Sequence, residues 1–408
     1  MFAFKRLNIP RTYNFSFGHN YVNYMQKVNL SQFSRKKFDL FNRKQEFDLL
    51  TTKFSSNTPE IHVILGPTDS GKTTLVRQVV QNGNFNPLFI DLRISSSILL
   101  CDIRSEFQNF FESIFIKPKT KLETVNELDY ELLEKISSSL PNLSYWKNHN
   151  IPPPILVIDE ANKLFDLPDL SKEYKTLFKA FLSWLKLIIQ NNQFHVVLTS
   201  SEPFFLDWME YSLHTMRLTP HVVGDLSIEE ANQFFRNHVL EYYGLVHVCL
   251  SFPNMFVIIV LVIGLVRIKF FSTMEYGFNN QNIKTSDMLF TADCFYNQEF
   301  IRMIQGLNPE SHAKYDNIPV YWEKSHFITA MKALVEAEDQ GFILEDDLIK
   351  EIGYKAVRSL VYYRYLYRRP NFGLNNDLIN PPAESKVMLT PVSQLTLNAA
   401  KKLLEKNN

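Results

Sequence analysis

The stretch that decides the fold is residues 61–74, which read IHVILGPTDSGKTT. Its first five residues are mostly apolar and predict a buried strand, and a loop bracketed by two glycines follows directly. The loop fits the pattern G-x-x-x-x-G-K-[ST] at every position. Apolar residues then recur at Leu75, Val76, Val79 and Val80, a spacing that predicts a helix. The segment therefore predicts a strand, a phosphate-binding loop and a helix in immediate succession.

Each part of this loop has a chemical reason. Gly66 and Gly71 allow backbone conformations closed to other residues, so successive N–H groups can converge on phosphate oxygens, and the dipole of the following helix faces the same oxygens. Lys72 is expected to reach the β- and γ-phosphates, and the Thr73 hydroxyl to ligate magnesium. The alternative is a surface glycine turn before an ordinary helix. The predicted phosphate-binding residues are Gly66, Pro67, Thr68, Asp69, Ser70, Gly71, Lys72, Thr73 and Thr74.

A second motif supplies the acidic side chains that such a loop needs. Residues 152–160 read PPPILVIDE, in which an unbroken apolar run after the prolines predicts a strand buried on both faces. Asp159, at the carboxyl end of that strand, is expected to hold magnesium through water. Glu160 is expected to orient or deprotonate the attacking water, as a catalytic base. The alternative is an ordinary solvated carboxylate pair at a strand end.

Two further predictions concern the γ-phosphate. The strand predicted within residues 194–205 ends in three hydroxyl residues, 199–201, and Ser200 is the candidate for sensing the γ-phosphate. The alternative is that these hydroxyls bond to the backbone of the turn. Arg217 is the candidate for reaching a neighbouring subunit's γ-phosphate, because it lies near the end of a last strand predicted at residues 215–218. Its alternative is a surface residue or an ion pair.

Composition places the chain among globular proteins. The 408 residues are 45% hydrophobic and 21% charged, and 43 basic residues balance 43 acidic ones, so the whole molecule has no field that would attract nucleic acid. Three widely spaced cysteines favour an intracellular, reducing setting. Seven basic residues and no acidic one precede Asp39. This composition suits a mitochondrial presequence or, alternatively, a solvated basic arm.

The order of elements predicts the fold class. Strand and helix patterns alternate from residue 61 to about residue 218, which predicts an α/β fold of three layers, with a parallel sheet and helices on both faces. A mainly helical domain is predicted to follow. The predicted divisions are a basic leader at 1–37, the α/β domain at 38–240, an apolar insert at 241–275, a connecting region at 276–322 and a C-terminal domain at 323–408.

The apolar insert allows three interpretations. Residues 244–266 contain no Asp, Glu, Lys or Arg, and residues 255–266 are apolar without a break. A membrane span needs about 20 mostly apolar residues, so the uncharged run is long enough and the unbroken apolar run is short. The insert is therefore a membrane span, a buried core element, or a mistranslated insertion such as a retained intron. The first would associate the protein with a membrane.

The motifs together resemble a known family. The segments HVILGPTDSGKTTL, ILVIDEANKL, HVVLTSSEPF and VVGDLSIEEANQFF are similar to the archaeal-type ATPase branch of the STAND and AAA+ P-loop ATPases. The resemblance implies that Lys72, Thr73, Asp159 and Glu160 bind and hydrolyse Mg-ATP, and that a winged-helix module follows. Two features depart from the family: Asn42 replaces a glycine in an F-G-R-x-x-E-like segment, and a Gly-Gly element after the GDLS segment is not recognisable.

The C-terminal part resembles a winged helix. Three helical patterns begin near residue 323, and a strand, a turn with Pro391 and a last helix follow. Around the third pattern, basic residues alternate with tyrosines, which suits nucleic-acid binding. Packing of this helix against the ATPase core is the favoured alternative, since the protein is neutral overall. The basic residues are Lys355, Arg358, Arg364, Arg368 and Arg369.

These patterns give a leading functional hypothesis and a rival. The first is an enzyme, an ATPase that hydrolyses Mg-ATP to drive or gate a conformational change in the C-terminal module. The rival is a nucleotide-gated scaffold or regulator that turns over little ATP and binds a protein or nucleic-acid partner. Both use ATP and Mg²⁺, and both are compatible with a homo-oligomer. The partner itself is not predicted.

Overall fold

The structure is a computed structural model. It describes residues 43–68, 70–93, 99–114, 130–214, 217–224, 285–316, 319–371 and 386–407, with a few single positions beside them. The leader at 1–37 and the apolar insert at 241–275 lie outside the described residues, so the three interpretations of the insert stay open. No helix among the described residues combines the length and the apolar character needed to cross a membrane.

A parallel sheet forms the centre of the N-terminal half. Its strands run in the order β2-β3-β4-β1-β5, and every neighbouring pair is parallel. The carboxyl ends of all the strands therefore meet at one edge of the sheet. The strands are β1 (Ile61–Leu65), β2 (Asn86–Asp91), β3 (Pro154–Asp159), β4 (His195–Ser200) and β5 (Leu218–Val222).

Helices cover both faces of this sheet, as the sequence predicted. Successive side chains of a strand point to opposite faces. Ile155 and Val157 therefore pack against the helices at residues 44–54 and 72–82, whereas Leu156 and Ile158 pack on the other side. The helices are α1 (Lys44–Phe54), α2 (Lys72–Asn82), α3 (Leu99–Ile114), α4 (Tyr130–Ser139), α5 (Leu143–Asn148), α6 (Leu167–Leu170), α7 (Lys172–Gln190) and α8 (Phe205–Leu213). Helices α3, α4, α7 and α8 contribute to the second face.

Three details of the sequence prediction need correction. The last strand is β5 at residues 218–222, not 215–218. It contains Pro220, which an edge strand tolerates because one side of it has no hydrogen-bonded neighbour. Pro154 is the first residue of β3, a position that also needs no ladder donor. Helices α4 and α5 lie within residues 130–148, where the sequence analysis assigned no element.

The C-terminal half has the element order of a winged helix. Helices and strands alternate so that a small antiparallel sheet, ordered β6-β8-β7, closes against the helices. The elements are α9 (Thr285–Gly306), α10 (Pro309–Asp316), α11 (Lys324–Glu336), β6 (Ile343–Leu344), α12 (Glu345–Ile352), α13 (Tyr354–Tyr362), β7 (Leu366–Pro370), β8 (Val387–Pro391) and α14 (Gln394–Asn407). We call residues 324–407 the winged-helix module.

The structure also revises the C-terminal sequence reading. The third helical pattern ends at Tyr362, and residues 366–370 form strand β7 instead of continuing the helix. Met303 of α9 and Trp322 belong to the same buried cluster as the winged-helix module. The C-terminal core therefore begins before residue 323 and includes part of the region predicted to be a connector.

Candidate functional site

The glycine-bracketed loop lies between β1 and α2, at the carboxyl edge of the sheet. Gly71 precedes α2 with φ of 90°, a left-handed conformation that a residue with a Cβ adopts at a cost. A Cβ on Gly66 would lie 2.3 Å from the Val223 carbonyl oxygen. Both glycines are therefore required by the backbone geometry, one for its conformation and the other for a close approach.

Lys72 is buried and turned back over the loop. Its side chain is only 6% exposed, and Nζ donates hydrogen bonds to the carbonyl oxygens of Gly66, at 3.0 Å, and Pro67, at 2.7 Å. These carbonyls hold the ammonium group at the mouth of the loop. The lysine thus occupies the place that the sequence predicted, next to the backbone that would hold phosphates.

Thr73, Asp159 and Thr199 meet at the carboxyl ends of the strands. Asp159 Oδ1 accepts hydrogen bonds from Thr73 Oγ1 at 2.8 Å and from Thr199 Oγ1 at 2.6 Å. The carboxylate is fully buried at the end of β3, and β4, which carries Thr199, lies between β3 and β1 in the sheet. The sheet order therefore brings together residues that are 86 positions apart in the chain.

Glu160 follows Asp159 in a conformation that is unusual for its residue type. Its φ of 55° and ψ of 43° place it in the left-handed region, which costs energy for a residue with a Cβ. The backbone N–H of Glu160 donates to Thr199 Oγ1 at 3.1 Å. Thr199 thus fixes both the Asp159 carboxylate and the turn that directs Glu160, and backbone strain of this kind is characteristic of functional sites.

The donor set fits a magnesium ion held together with phosphates. Asp159 Oδ2 is buried and accepts no hydrogen bond from the part of the chain that the structure describes. Mg²⁺ is typically bound by one or two carboxylates plus substrate phosphates and water. Among the described residues, no group of three or more His, Cys, Asp or Glu could hold a metal ion.

Arg93 is a neighbour of the site that sequence reasoning did not identify. Its Nη2 lies 3.8 Å from Asp159 Oδ2, and its Nε donates to both oxygens of Asp91 at 2.8 Å. Burial alone would raise the pKa of Asp91, but the hydrogen bonds and the positive charge of Arg93 outweigh it and lower that pKa. No motif in the sequence marks Arg93, because its position depends on the pairing of β2 with β3.

Ser200 and Arg217 are the two residues predicted to contact a γ-phosphate, and both form hydrogen bonds within the protein. Ser200 Oγ donates to Asn162 Oδ1 at 3.3 Å and accepts from the Glu202 N–H at 3.0 Å, so it stabilises the turn after β4. Side chains alternate along a strand, and the hydroxyl that faces Asp159 is that of Thr199. The alternative reading of this hydroxyl run, bonding to the turn, therefore describes Ser200.

Arg217 lies at the edge of the sheet opposite the phosphate loop of its own chain. Its carbonyl accepts from the N–H of Ile61, the first residue of β1, whereas the phosphate loop follows the last residue of that strand, about 15 Å away. The guanidinium donates to the Ile189 carbonyl and to Asn192 Oδ1, both at 2.8 Å, at the end of α7. Arg217 precedes the first residue of β5 and does not lie near the end of that strand, which corrects the premise, while its role towards a neighbouring subunit's γ-phosphate stays a prediction.

The other predicted phosphate-binding residues lie in the loop and in the first turn of α2, and their contact with phosphate stays a prediction. Pro67 and Ser70 are buried in the loop, Thr68 is partly exposed, and Thr74 is exposed in the first turn of α2. Asp69 lies outside the described residues.

A search for related families adds one finding. A family described as an ATPase domain predominantly from Archaea matches residues 40–247, just over half of the 408 residues. The chain belongs to this family. Membership in the archaeal ATPase family agrees with the resemblance seen in the motifs, and nothing in the comparisons supports the STAND assignment.

Proteins of Methanocaldococcus jannaschii are similar to this chain. One protein named as ATP-binding is 25% identical over 233 residues, which cover 49% of this chain and 63% of the relative. Another with the same description is 24% identical over 225 residues, 48% of this chain and 59% of the relative. The chain thus spans about three fifths of the length of these relatives. Residues 40–247 of this chain, which include the P-loop, match the ATPase domain family.

Solved structures of low similarity also match. The ORC2 protein of Aeropyrum pernix in ADPNP–ADP complexes gives a TM-score of 0.42 at 11% identity, covering 91% of this chain and 97% of that chain. The ORC1 protein of the same organism in complex with DNA gives 0.35 at 10% identity, covering 89% of this chain and 93% of that chain. Scores of this size carry no functional argument.

Proposed function

We propose that this protein hydrolyses Mg-ATP at the carboxyl edge of the parallel sheet. The observation that supports the proposal is the convergence of Thr73, Asp159, Glu160 and Thr199 beside the phosphate loop. Bound magnesium would neutralise charge on the β- and γ-phosphates, and Asp159 and Thr73 would hold it.

The chain's own side chains supply the remaining roles. Lys72 moves its ammonium group from the loop carbonyls to the phosphate oxygens, an exchange of hydrogen-bond acceptors within the same small volume. Glu160 orients the attacking water and accepts its proton, and its backbone is held in the left-handed conformation. Thr199 contacts the Asp159 carboxylate and the backbone N–H of Glu160.

The second half of the proposal is that nucleotide state governs the winged-helix module. The segment after β4 leads within a few residues from Thr199 to Phe204 and Asp207, which contact the module. Phe204 lies 4.5 Å from Arg358 Cζ and 5.8 Å from Arg368 Cζ, measured from the ring centroid. Asp207 pairs with Arg368 at 3.0 Å and Arg358 at 3.4 Å. Loss of the γ-phosphate would shift this segment and loosen the docking.

The same contacts argue against nucleic acid as the partner of these arginines. Arg368 and Arg369 are 8% and 3% exposed, and Arg368 Nε donates to both oxygens of Glu345. Arginines that neutralise the phosphates of nucleic acid, and so displace the counterions bound there, must be accessible. The packing of this part of the module against the ATPase core, which the sequence analysis favoured, is therefore the reading we retain.

The test is ATP hydrolysis by the full chain, with and without magnesium, in wild type and in Glu160→Gln. We expect magnesium-dependent turnover that falls by about a hundredfold or more in the variant while ATP still binds, because the base is lost and the phosphate contacts remain. Glu134→Gln is the matched control, since Glu134 is exposed on α4, away from the nucleotide site.

The result that would contradict turnover is tight ATP binding with no hydrolysis in either protein. That outcome would favour the scaffold hypothesis, in which ATP acts as a ligand that sets the conformation. A chain that binds no ATP at all would overturn the nucleotide site itself.

A further inference from the structure

Arg43 is a buried cation at the entrance to the ATPase domain that the proposed chemistry does not use. Its side chain is only 5% exposed, and it immediately precedes α1. Nη1 donates to Glu46 Oε1 at 3.0 Å, while Nη2 donates to the carbonyl oxygens of Ser70, at 3.2 Å, and Gly224, at 2.7 Å. One guanidinium thus joins three parts of the chain: the start of α1, the phosphate loop and the segment after β5.

The bond to the Ser70 carbonyl constrains the phosphate loop itself. A trans peptide is planar, so the carbonyl of Ser70 and the N–H of Gly71 point in opposite directions. Because Arg43 holds the carbonyl, the Gly71 N–H is turned away from Arg43. Gly71 reaches this orientation through its left-handed backbone conformation, and its N–H is one of the donors with which a loop of this type cradles phosphate.

The bond to the Gly224 carbonyl fixes the other side of the same loop. The Val223 N–H donates to the Leu65 carbonyl at 2.8 Å, and the Val223 oxygen lies so close to Gly66 that a Cβ could not fit between them. The start of the loop therefore rests on residues 223–224. Arg43 ties this support to the far end of the loop at Ser70.

Only arginine can make this set of contacts. The planar fork of the guanidinium carries five donors, so it can serve a carboxylate and two carbonyls at once, whereas a lysine ammonium is a compact group on a flexible stem. Glu46 is also buried, at 3% exposure, and balances the charge of Arg43. Burying such a pair is costly, and breaking it leaves an uncompensated charge, so the pair fits a device that fixes geometry.

We propose that Arg43 is a positioning residue of the nucleotide site, which holds the phosphate-binding N–H groups of the loop in place without touching the nucleotide. Ser70 Oγ, 1% exposed and without a hydrogen-bond partner in the described chain, lies at the clamped end of the loop and is oriented by the same contact. The inference rests on nucleotide binding at this loop.

The experiment measures the affinity of the full chain for ADP and for pyrophosphate, which has the phosphates of ADP but no base or sugar. Wild type, Arg43→Lys and Arg43→Ala are compared by calorimetry at a temperature where circular dichroism shows each protein folded. Both variants are expected to lose affinity for both ligands by the same factor, about tenfold or more, because the phosphate cradle is disordered. Methylguanidinium is expected to restore part of the loss in Arg43→Ala only.

Two variants complete the design. Lys44→Ala changes the exposed neighbour of Arg43 and is expected to bind both ligands like wild type. Glu46→Gln keeps the shape of the buried pair but removes the charge of the carboxylate. Its affinities for ADP and for pyrophosphate are expected to fall by equal factors, as in Arg43→Lys, and by less than in that variant. Glu46→Gln also keeps the proposal testable if Arg43→Ala does not fold.

The outcomes separate the inference from the site on which it rests. Loss of ADP affinity with unchanged pyrophosphate affinity would overturn it, because Arg43 would then contact the base or the sugar. Variants that bind both ligands normally, with only a lower melting temperature, would also overturn it and leave a purely structural residue. Wild type that binds neither ligand would instead overturn the nucleotide site.

Discussion

At the scale of single residues, Thr199 is the hydroxyl on which the geometry of the site depends. It donates to the Asp159 carboxylate and accepts from the backbone N–H of Glu160, so one side chain contacts both acidic residues of the site. We expect Thr199→Val, which has nearly the same shape, to lower kcat by about tenfold or more while the Kd for ATP changes by less than about threefold. The reason is that the Glu160 N–H loses its partner and Asp159 Oδ1 keeps only Thr73 Oγ1, at a cost of about 1–3 kcal/mol. Single-turnover hydrolysis and equilibrium ATP binding measure the two effects.

Thr199→Ser should recover most of the lost rate, because it restores the hydroxyl. Thr176→Val is the matched control, since Thr176 is exposed on α7 and its hydroxyl bonds only within that helix. Equal kcat for Thr199→Val and wild type would show that Thr199 does not position the catalytic groups.

The residues of the site differ in how far the sequence could predict them. Lys72, Thr73, Asp159 and Glu160 follow from local motifs, because the chemistry fixes their spacing within one loop or strand end. The choice between Thr199 and Ser200 depends on which face of β4 each side chain points to, and a shift of one residue reverses that. The roles of Arg43 and Arg93 depend on contacts between distant segments, which a single sequence does not contain.

At the scale of elements, the segment from β4 to α8 is the structural link between the nucleotide site and the winged-helix module. We expect Phe204→Ala to leave ATP affinity within about threefold of wild type and to abolish any nucleotide-dependent change in the amide exchange of α13. The reason is that the ring contacts two arginines of the module, and such cation–π contacts are worth about 0.5–2 kcal/mol each. Hydrogen–deuterium exchange of the full chain, with ADP and with a non-hydrolysable ATP analogue, measures the change.

Tyr211→Ala serves as the control, because Tyr211 is an aromatic residue of α8, the helix that begins directly after Phe204, and is 69% exposed. It is expected to keep the nucleotide dependence of wild type. If wild-type α13 exchanges equally with both nucleotides, the module is not gated by nucleotide state. If Phe204→Ala keeps the full difference, coupling runs through another route.

The elements themselves were predictable where hydrophobic periodicity is strong. Apolar runs or amphipathic repeats in the sequence predict β1, β3, β4 and α7. β5 was misplaced because its sequence, LTPHV, is short, contains proline and lies at the edge of the sheet. The third helical pattern of the sequence continued into β7, whose sequence LYRRP contains two arginines. Both arginines are buried in the folded protein, where Arg368 has acidic partners that the sequence pattern does not indicate.

At the scale of the whole molecule, a row of three buried histidines crosses the sheet under α1 and links β4, β1 and β5. His195 Nδ1 accepts from the Glu60 N–H at 3.3 Å, so His62 Nε2 must donate to it, at 3.1 Å. His62 Nδ1 then accepts from His221 Nε2 at 3.3 Å, and His195 Nε2 donates to the Ser56 carbonyl. This arrangement of bonds can form with all three rings neutral.

The environment of this histidine row keeps it uncharged. Burial lowers the pKa of His195 and of His221 to about 4, and burial followed by the neighbouring histidines lowers the pKa of His62 well below its usual value. Lys53 faces His62 and His221 from α1, Lys147 approaches His195 from α5, and of the nearby charges only Glu60 favours protonation. An added proton therefore enters a site with two lysines close by.

The sign of the pH dependence follows from these shifts. Because the folded pKa lies below the unfolded value of 6.5, the unfolded chain binds more protons between pH 6.5 and pH 4, and the free energy of unfolding falls as the pH falls through that range. We expect the fall between pH 7 and pH 5 to be smaller in His195→Gln than in wild type by roughly 2 kcal/mol, since one shifted group is removed. Urea denaturation of the full chain at both pH values measures it.

His214→Asn is the control, because His214 is exposed and holds a left-handed backbone conformation that asparagine tolerates. It should keep the pH dependence of wild type. Any buried substitution can destabilise the domain, so a lower stability of His195→Gln is not enough. The free energy of unfolding that His195→Gln loses relative to wild type is expected to be largest at pH 7 and to shrink towards pH 5. A variant destabilised by the same amount at both pH values would show that His195 does not change its protonation on unfolding, and His195 would then have no part in the acid sensitivity of this ATPase domain.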